Sequence, residues 1–461
     1  MTRITSRAPE LLTIAGLYLL SGALVALAFV SASGAGGWGP SLHTRPIRWL
    51  IIAAAFAIPL SCALLLLAYR LSASDRRTGF WLPAVMVAAS VMLGLGFAEA
   101  ALRILAKPDP RGVRIGSTVL LPYDWRALAR ESLARLQQDR NGAAFYVEDS
   151  VLGWTVGPNR KSADGLYASS AEGLRSRTAD VRLADTDVPN RIALLGDSFA
   201  FSDEVGFDAS LQRHLEQLTP NSQVLNFGVN GYGIDQALLR FRKESINWRP
   251  RVAILVFIHD DLYRAANVYP FLKKNGTIPL SKARYVLRGD ELDLLNVPNA
   301  APERMFNAAS ILDLPLLDDD IEFSPNEWRP HLLRHSYVFS YLAARFPTLP
   351  SRTPSTTESA VITLNRRLIQ EFVRTASAAN ISPAVVYLPT RGDFSGRSRT
   401  ATVRLVAELE QDGIAVTDVT ACMTARISAK ELFVTSGVHY SDGGNAAAAE
   451  CIHPVVARYL Q

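Results

Sequence analysis

The chain has 461 residues, of which 49% are hydrophobic and 20% charged, with a formal net charge of +5. That length exceeds one ordinary domain and supports a large core. The small basic excess shows no aromatic-interleaved basic stripe and no zinc-type spacing, which argues against a nucleic-acid partner and against a metal site of that kind.

The apolar excess lies in the first hundred residues. Three charge-free segments stand out there: about 11–32, 49–69 and 80–98. Each is about as long as a helix needs to cross the hydrocarbon core, roughly 20 residues. They predict a membrane anchor over 1–105 with the bilayer as partner. The first run is too long for a cleaved signal peptide. Arg3 and Arg7 before the first segment, and Arg70, Arg76 and Arg77 between the second and third, place those stretches in the cytoplasm. Three crossings then put the remainder outside, as the periplasmic part of a multi-pass inner-membrane protein. Cys422 and Cys451 both fall in that part. A disulfide and two separate buried thiols are both open for them.

Residues 106–189 read as an extension. RGVRIGSTVLLPY is strand-like, DWRALARESLARLQQ is helical with Asp124 as its N-cap, and loop character follows from about 153 to 190. From 190 onward the pattern alternates. RIALLG, QVLNFGV, VAILVFI, PAVVYLP and IAVTDVT read as strands, with helical periodicity in the segments between them and in the last, GGNAAAAECIHPVVARYL. Short continuous apolar strands alternating with helices indicate a parallel sheet covered on both faces, a doubly wound α/β domain over 190–461. Residues of about 263–355 interrupt the alternation as an insertion, with a hairpin turning at Gly289-Asp290.

The strand RIALL stops at Gly196-Asp197-Ser198. In open parallel sheets ligands bind beyond the carboxyl ends of the strands, so a serine there is placed for chemistry. Alone, the triplet reads as an ordinary strand-to-loop turn. Four blocks occur in order: LLGDSFAFSDEV, LNFGVNGYG, VFIHDDL and SGVHYSDGG. Together they resemble the consensus blocks of the SGNH (GDSL) hydrolase superfamily, over about 190–461. The resemblance implies a flavodoxin-like three-layer α/β/α fold, in agreement with the alternation above. It also implies Ser198 as nucleophile and first oxyanion donor through its amide, Gly231 as second donor, and His439 as base. The chemistry needs this combination: a hydroxyl is a weak nucleophile until a base takes its proton, and the oxyanion needs fixed donors. The resemblance implies no cofactor.

Two blocks depart from the family pattern. In the third, Asp260 stands where an asparagine donates to the oxyanion, and a carboxylate only accepts. In the last, Ser436 stands three residues before His439, where the family has the acid that orients the imidazole. One reading is a Ser198–His439 dyad. A second has Asp260 turned to His439 as a relocated acid, with His259, Asn230 or Asn267 serving the oxyanion. A third is a non-catalytic binding or scaffold module. Asp197 is a further auxiliary candidate, capping the backbone after the turn. Asp318–Asp320 read as a solvated loop rather than a metal site. The expected activity is an extracytoplasmic serine esterase acting on an ester, such as an O-acetylated envelope glycan or lipid. Acyl transfer in envelope polysaccharide modification, fed by a membrane partner, is the alternative.

Overall fold

Five of the apolar runs form one parallel sheet in the computed structural model, which describes residues 81–142, 144–273, 276–330, 332–345, 357–395 and 399–460. The strands are β1 (Asn190–Leu195), β2 (Ser222–Asn226), β3 (Val252–Phe257), β4 (Ser382–Tyr387) and β5 (Val416–Asp418). Their order is β5-β4-β3-β1-β2, and all four pairings are parallel, with Val252 opposite both Ile192 and Ser382. This is the doubly wound flavodoxin-like order, in which the winding reverses between β1 and β3.

Side chains alternate across a strand, so each apolar run feeds two cores. Ala193, Leu195, Leu255 and Phe257 pack with helices α2 (Ile234–Lys243), α3 (Glu358–Ala378) and α4 (Thr400–Gln411). Ile192, Leu194, Ile254 and Val256 pack on the other face with α1 (Leu211–Leu218) and α5 (Asp442–Leu460). The three α/β/α layers therefore follow from continuous apolar strands that must be covered twice. Each Leu, Ile or Val buried this way contributes about 1.5–3 kcal/mol relative to exposure.

The chain divides into two compact units, one holding the described residues up to Leu128 with Ser324 to Arg345, the other running from Ala129 to Phe323 and from Thr357 onward. The sheet belongs to the second. Part of the expected insertion, from Ser324, thus falls in the first unit, while the hairpin Arg284–Leu295 forms in the second. The first unit has a three-stranded antiparallel meander over 107–119 and a small core of Leu102, Ile115, Leu120 and Tyr341. Asp124 accepts from the Ala127 N–H at 3.1 Å and caps the helix Trp125–Asn141.

The expected three-span anchor is overturned: among the described residues no helix is long and apolar enough to cross a membrane. The first two expected spans, 11–32 and 49–69, lie outside the described residues. The third is part of the helix Trp81–Leu105. Its C-terminal end carries polar and protein-packed groups. Glu99 pairs with Arg103 at 2.7 Å and accepts the Tyr337 and Val338 N–H groups at 2.8 and 3.1 Å, capping the helix Tyr337–Arg345. Leu102 is buried in the small core. The apolar run reads as a span by length alone, whereas the folded helix spends its C-terminal turns on protein contacts. The expectations that rested on the anchor fall with it: the membrane-anchored form of the resemblance, the bilayer and a membrane acyl donor as partners, and the multi-pass inner-membrane placement with a periplasmic domain.

Cys422 and Cys451 are joined by a disulfide that ties the helix Thr420–Thr424 to α5, across 29 residues of sequence. Closing a loop of that length restricts the unfolded chain by roughly 3–4 kcal/mol in the chain-entropy description. The Cys422→Ser/Cys451→Ser double variant is therefore expected to lose stability of that order, read in urea unfolding as a lower midpoint with a slope that rises, if it changes, because the uncrosslinked unfolded chain exposes more surface.

Candidate functional site

The site gathers where β1 and β3 end, beside the loop that precedes α5. Gly196 follows β1 with φ +150°, and a Cβ there would sit 2.6 Å from the Val256 carbonyl oxygen, so the chain can turn at this point only without a side chain. Asp197 then caps a single helical turn, Ser198–Phe201, by accepting the Phe199 N–H at 2.8 Å. Ser198 opens that turn and is buried.

His439 reaches Ser198 from 241 residues away, with Nε2 2.8 Å from Ser198 Oγ. Its Nδ1 faces a residue that the sequence reading missed. Glu204 Oε1 lies 3.2 Å from Nδ1, off the line of a formed hydrogen bond. The same carboxylate accepts the Val438 and His439 N–H groups at 3.0 and 3.2 Å. Burial pushes the Glu204 carboxyl up, but those N–H groups and the imidazole outweigh it and hold the group below its ordinary range. Gly437 makes room for it: a Cβ there would lie 1.7 Å from Glu204 Oε2.

Glu204 takes up this position on a strained loop. Ser202 and Glu204 have φ of +62° and +70°, a left-handed conformation uncommon for residues with side chains. Two residues of the extension hold the loop. The Tyr167 hydroxyl accepts the Glu204 N–H at 2.7 Å. The buried Arg175 guanidinium donates to the carbonyls of Phe201, Ser202 and Val205. Between Ser202 and Glu204, Asp203 accepts a 2.5 Å hydrogen bond from Asn230 Nδ2. Burial pushes the Asp203 carboxyl up to about 6, against the pull of His439 and Arg175.

Asn230 and Gly231 lie on the loop after β2. The Val229 N–H donates to the Gly196 carbonyl at 3.2 Å, fastening this loop to the turn that carries Ser198. Trp154 Nε1 donates to the Asn230 carbonyl at 2.9 Å, and the Tyr232 hydroxyl to the Trp154 carbonyl at 2.6 Å. Asp197 receives Arg264 at 2.8 Å, and the same guanidinium nitrogen holds Asp261 at 2.6 Å. One arginine thus ties the loop after β1 to the loop after β3.

The remaining expected residues lie apart from this arrangement. Asp260 is exposed and faces Lys273 Nζ at 3.4 Å, while both nitrogens of His439 face other residues. Asp260 therefore does not take the place of the missing acid. His259 Nδ1 is 2.8 Å from Thr402 Oγ1. Ser436 is exposed, and Asn267 is buried. Asp320 accepts the Val268 and Tyr269 N–H groups at 2.7 Å each, a structural use rather than the solvated loop expected. Arg391 donates to the carbonyls of Gly437 and Val434, bracing the loop that leads to His439. Among the described residues no cluster of His, Cys, Asp and Glu has the spacing to hold a metal ion.

No protein-family model and no curated protein matches the chain. Solved structures do. A member of the lipolytic protein G-D-S-L family from Veillonella parvula DSM 2008 is 10% identical, with TM-score 0.31 over 58% of this chain and 98% of its own. The lipase/acylhydrolase from Enterococcus faecalis is 14% identical, with TM-score 0.31 over 58% and 95%. The psychrotrophic esterase EstA from Pseudoalteromonas sp. is 9% identical, with TM-score 0.31 over 59% and 98%. At such identities and scores the likeness carries no conclusion about family or activity.

The raised Asp203 carboxyl has a consequence for stability. Between about pH 4 and pH 6 an unfolded aspartate is ionised while folded Asp203 keeps its proton, so folding binds a proton. Stability from this group is therefore present at low pH and falls, by about 3 kcal/mol, as pH rises through that window. Asp203→Asn is expected to flatten this part of the stability–pH curve, measured by urea unfolding at a series of pH values.

Proposed function

We propose that the chain is a serine esterase in which Ser198 is the nucleophile, His439 the base and Glu204 the residue that positions and charges the imidazole. The observation that carries this reading is that His439 faces both groups at once, with Nε2 2.8 Å from Ser198 Oγ and Nδ1 3.2 Å from Glu204 Oε1. The Ser198 hydroxyl attacks the ester carbonyl as His439 Nε2 takes its proton. Glu204 favours the Nδ1–H tautomer and stabilises the imidazolium that forms. The N–H groups of Ser198 and Gly231 receive the oxyanion. The tetrahedral intermediate expels the alcohol, which takes the proton back from His439, and leaves the acyl group on Ser198. Water, deprotonated by His439, then attacks the acyl-enzyme and releases the acid.

The acid on Glu204 supports catalysis over a binding or scaffold module. A retained serine and histidine with no acid would fit a decayed site. Here the carboxylate is supplied from another loop, by a residue held in a conformation that costs energy. The exposed Asp260, matched by Lys273, places no uncompensated charge at the oxyanion.

Turnover of 4-nitrophenyl acetate by the full chain tests the reading. Ser198→Ala is expected to remove activity, a loss on the order of 10⁶-fold in kcat. Glu204→Gln should lower kcat by roughly 10²–10⁴-fold with little change in KM. Glu204→Asp, which keeps the charge, should recover part of that loss, whereas a merely structural role for Glu204 would leave the isosteric Gln variant the more active of the two. Equal rates for wild type and Ser198→Ala would remove the assignment.

A further inference from the structure

A cleft of about 540 Å³ opens beside the loop that carries Gly231, within the range of small-ligand sites, roughly 300–1,000 Å³. Its walls include Tyr146, Trp154, Arg160, Asn230 and Ile278. Ser198 and His439 do not line it. It meets the candidate site at Asn230, whose side chain holds Asp203 and whose neighbour is Gly231. Ile278 forms part of the same wall and lies against Gly231, 3.0 Å from where a Cβ would stand.

Three arginines line the cleft, and two of them are occupied. Arg135 Nε is bonded to Glu131 at 3.1 Å. Arg140 is held by Glu148 at 2.6 Å and by Glu303. Of the acids in the wall, Glu148 is therefore matched by Arg140, and Asp139 is the other. Arg160 differs from the other arginines. Its backbone N–H donates to Ser169 Oγ, but its guanidinium has no hydrogen bond or ion pair among the described residues. The side chain is half-buried and its stem lies over Gly157, with Cγ and Nε 3.0 and 3.3 Å from where a Cβ would be. The stem is thus seated against the protein while the charged end stays available. Without a partner of its own, that end is open to an anion that enters the cleft. A carboxylate or sulfonate supplies two parallel hydrogen bonds to that fork.

We propose that this cleft is a subsite for an ester substrate bearing a carboxylate or similar anion, recognised by Arg160 beside the Gly231 loop. The inference rests on the esterase reading of Ser198 and His439. It narrows the substrate from any ester to one that also carries an acidic group, seated in the cleft that Trp154 and Tyr146 help to line. The charge can stand on either side of the ester bond, and matched pairs separate the two cases.

The full chain is assayed on 4-acetoxybenzoate against 4-acetoxybenzamide, which places the charge on the alcohol part. Mono-4-nitrophenyl adipate against 4-nitrophenyl hexanoate places it on the acyl part. Wild type is expected to favour the charged member of one pair. Arg160→Ala should lower that kcat/KM ratio by about tenfold or more through KM, and Arg160→Lys should fall between, since it keeps the charge and loses the fork. Ratios within about twofold of wild type in both pairs overturn the proposal. Calorimetric titration of the Ser198→Ala protein with 4-acetoxybenzoate and with mono-4-nitrophenyl adipate reads the subsite without turnover. Binding that is lost on adding Arg160→Ala supports the anion site, and wild-type inactivity towards every ester would then count against the esterase reading alone. Binding that is equal with and without Arg160, or absent for both anions, overturns the anion site whatever the turnover shows.

Discussion

Arg175 is only 1% exposed and makes no salt bridge among the described residues. Its charge is spent on three carbonyl oxygens, those of Phe201, Ser202 and Val205, and on the faces of Phe201 and Tyr167 at 4.5 and 5.1 Å. Burial brings the guanidinium down to about 10, which still leaves it charged at neutral pH. A buried charge satisfied by carbonyl dipoles fixes their directions, because the cost of leaving it unmatched runs to several kcal/mol. That demand pays for the two left-handed residues, Ser202 and Glu204. Without it the loop has no reason to fold back over Gly437, and the carboxylate that faces His439 has no fixed place.

The site is therefore two loops and a turn held in register by polar contacts that cross the reversal of the sheet. Arg264 joins Asp197 after β1 to Asp261 after β3. The Asn230–Asp203 hydrogen bond joins the Gly231 loop to the loop that carries Glu204. The Val229–Gly196 hydrogen bond joins the Gly231 loop to the turn of Ser198. Each proposed catalytic group is thus set by a neighbour that belongs to a different strand end. A parallel sheet supplies the common edge, and these contacts convert it into a geometry.

What could be read in advance was what repeats or recurs locally. The five strands announce themselves as apolar runs of helix-separated residues, and the sheet they form needs no information beyond that pattern. Ser198 and Gly231 sit in recognisable blocks at strand ends, and His439 in one just before the last helix. Glu204 does not, because its role depends on two positive-φ residues and on an arginine 29 positions upstream, none of which leaves a local periodic signal. The available hint was negative: Ser436 in the acid's usual place, with Asp203-Glu204 close behind the nucleophile and Gly437 near the histidine. Asp260 was the wrong residue to carry the compensation, since it starts a helix after β3 and looks out to Lys273. The membrane reading failed for the opposite reason. Window hydropathy takes no account of where a helix continues: the one that carries the third apolar run goes on beyond it through Glu99 and Leu102 into protein contacts.

Moving the acid from the loop of the histidine to the loop of the serine changes what the two loops must do. In a chain with the acid three residues before the histidine, base and acid move as one body. Here Glu204 follows Ser198 by six residues, and its carboxylate grips the backbone of Val438 and His439 as well as facing the ring. The carboxylate thus does two things at once: it docks the histidine loop onto the serine loop, and it places a negative charge beside the imidazole. A neutral replacement that kept the docking through a side-chain carbonyl would still lose the charge. Docking and the proposed catalytic charge are therefore separable at this one position, which is what makes Glu204 more informative than the serine or the histidine about the proposed mechanism.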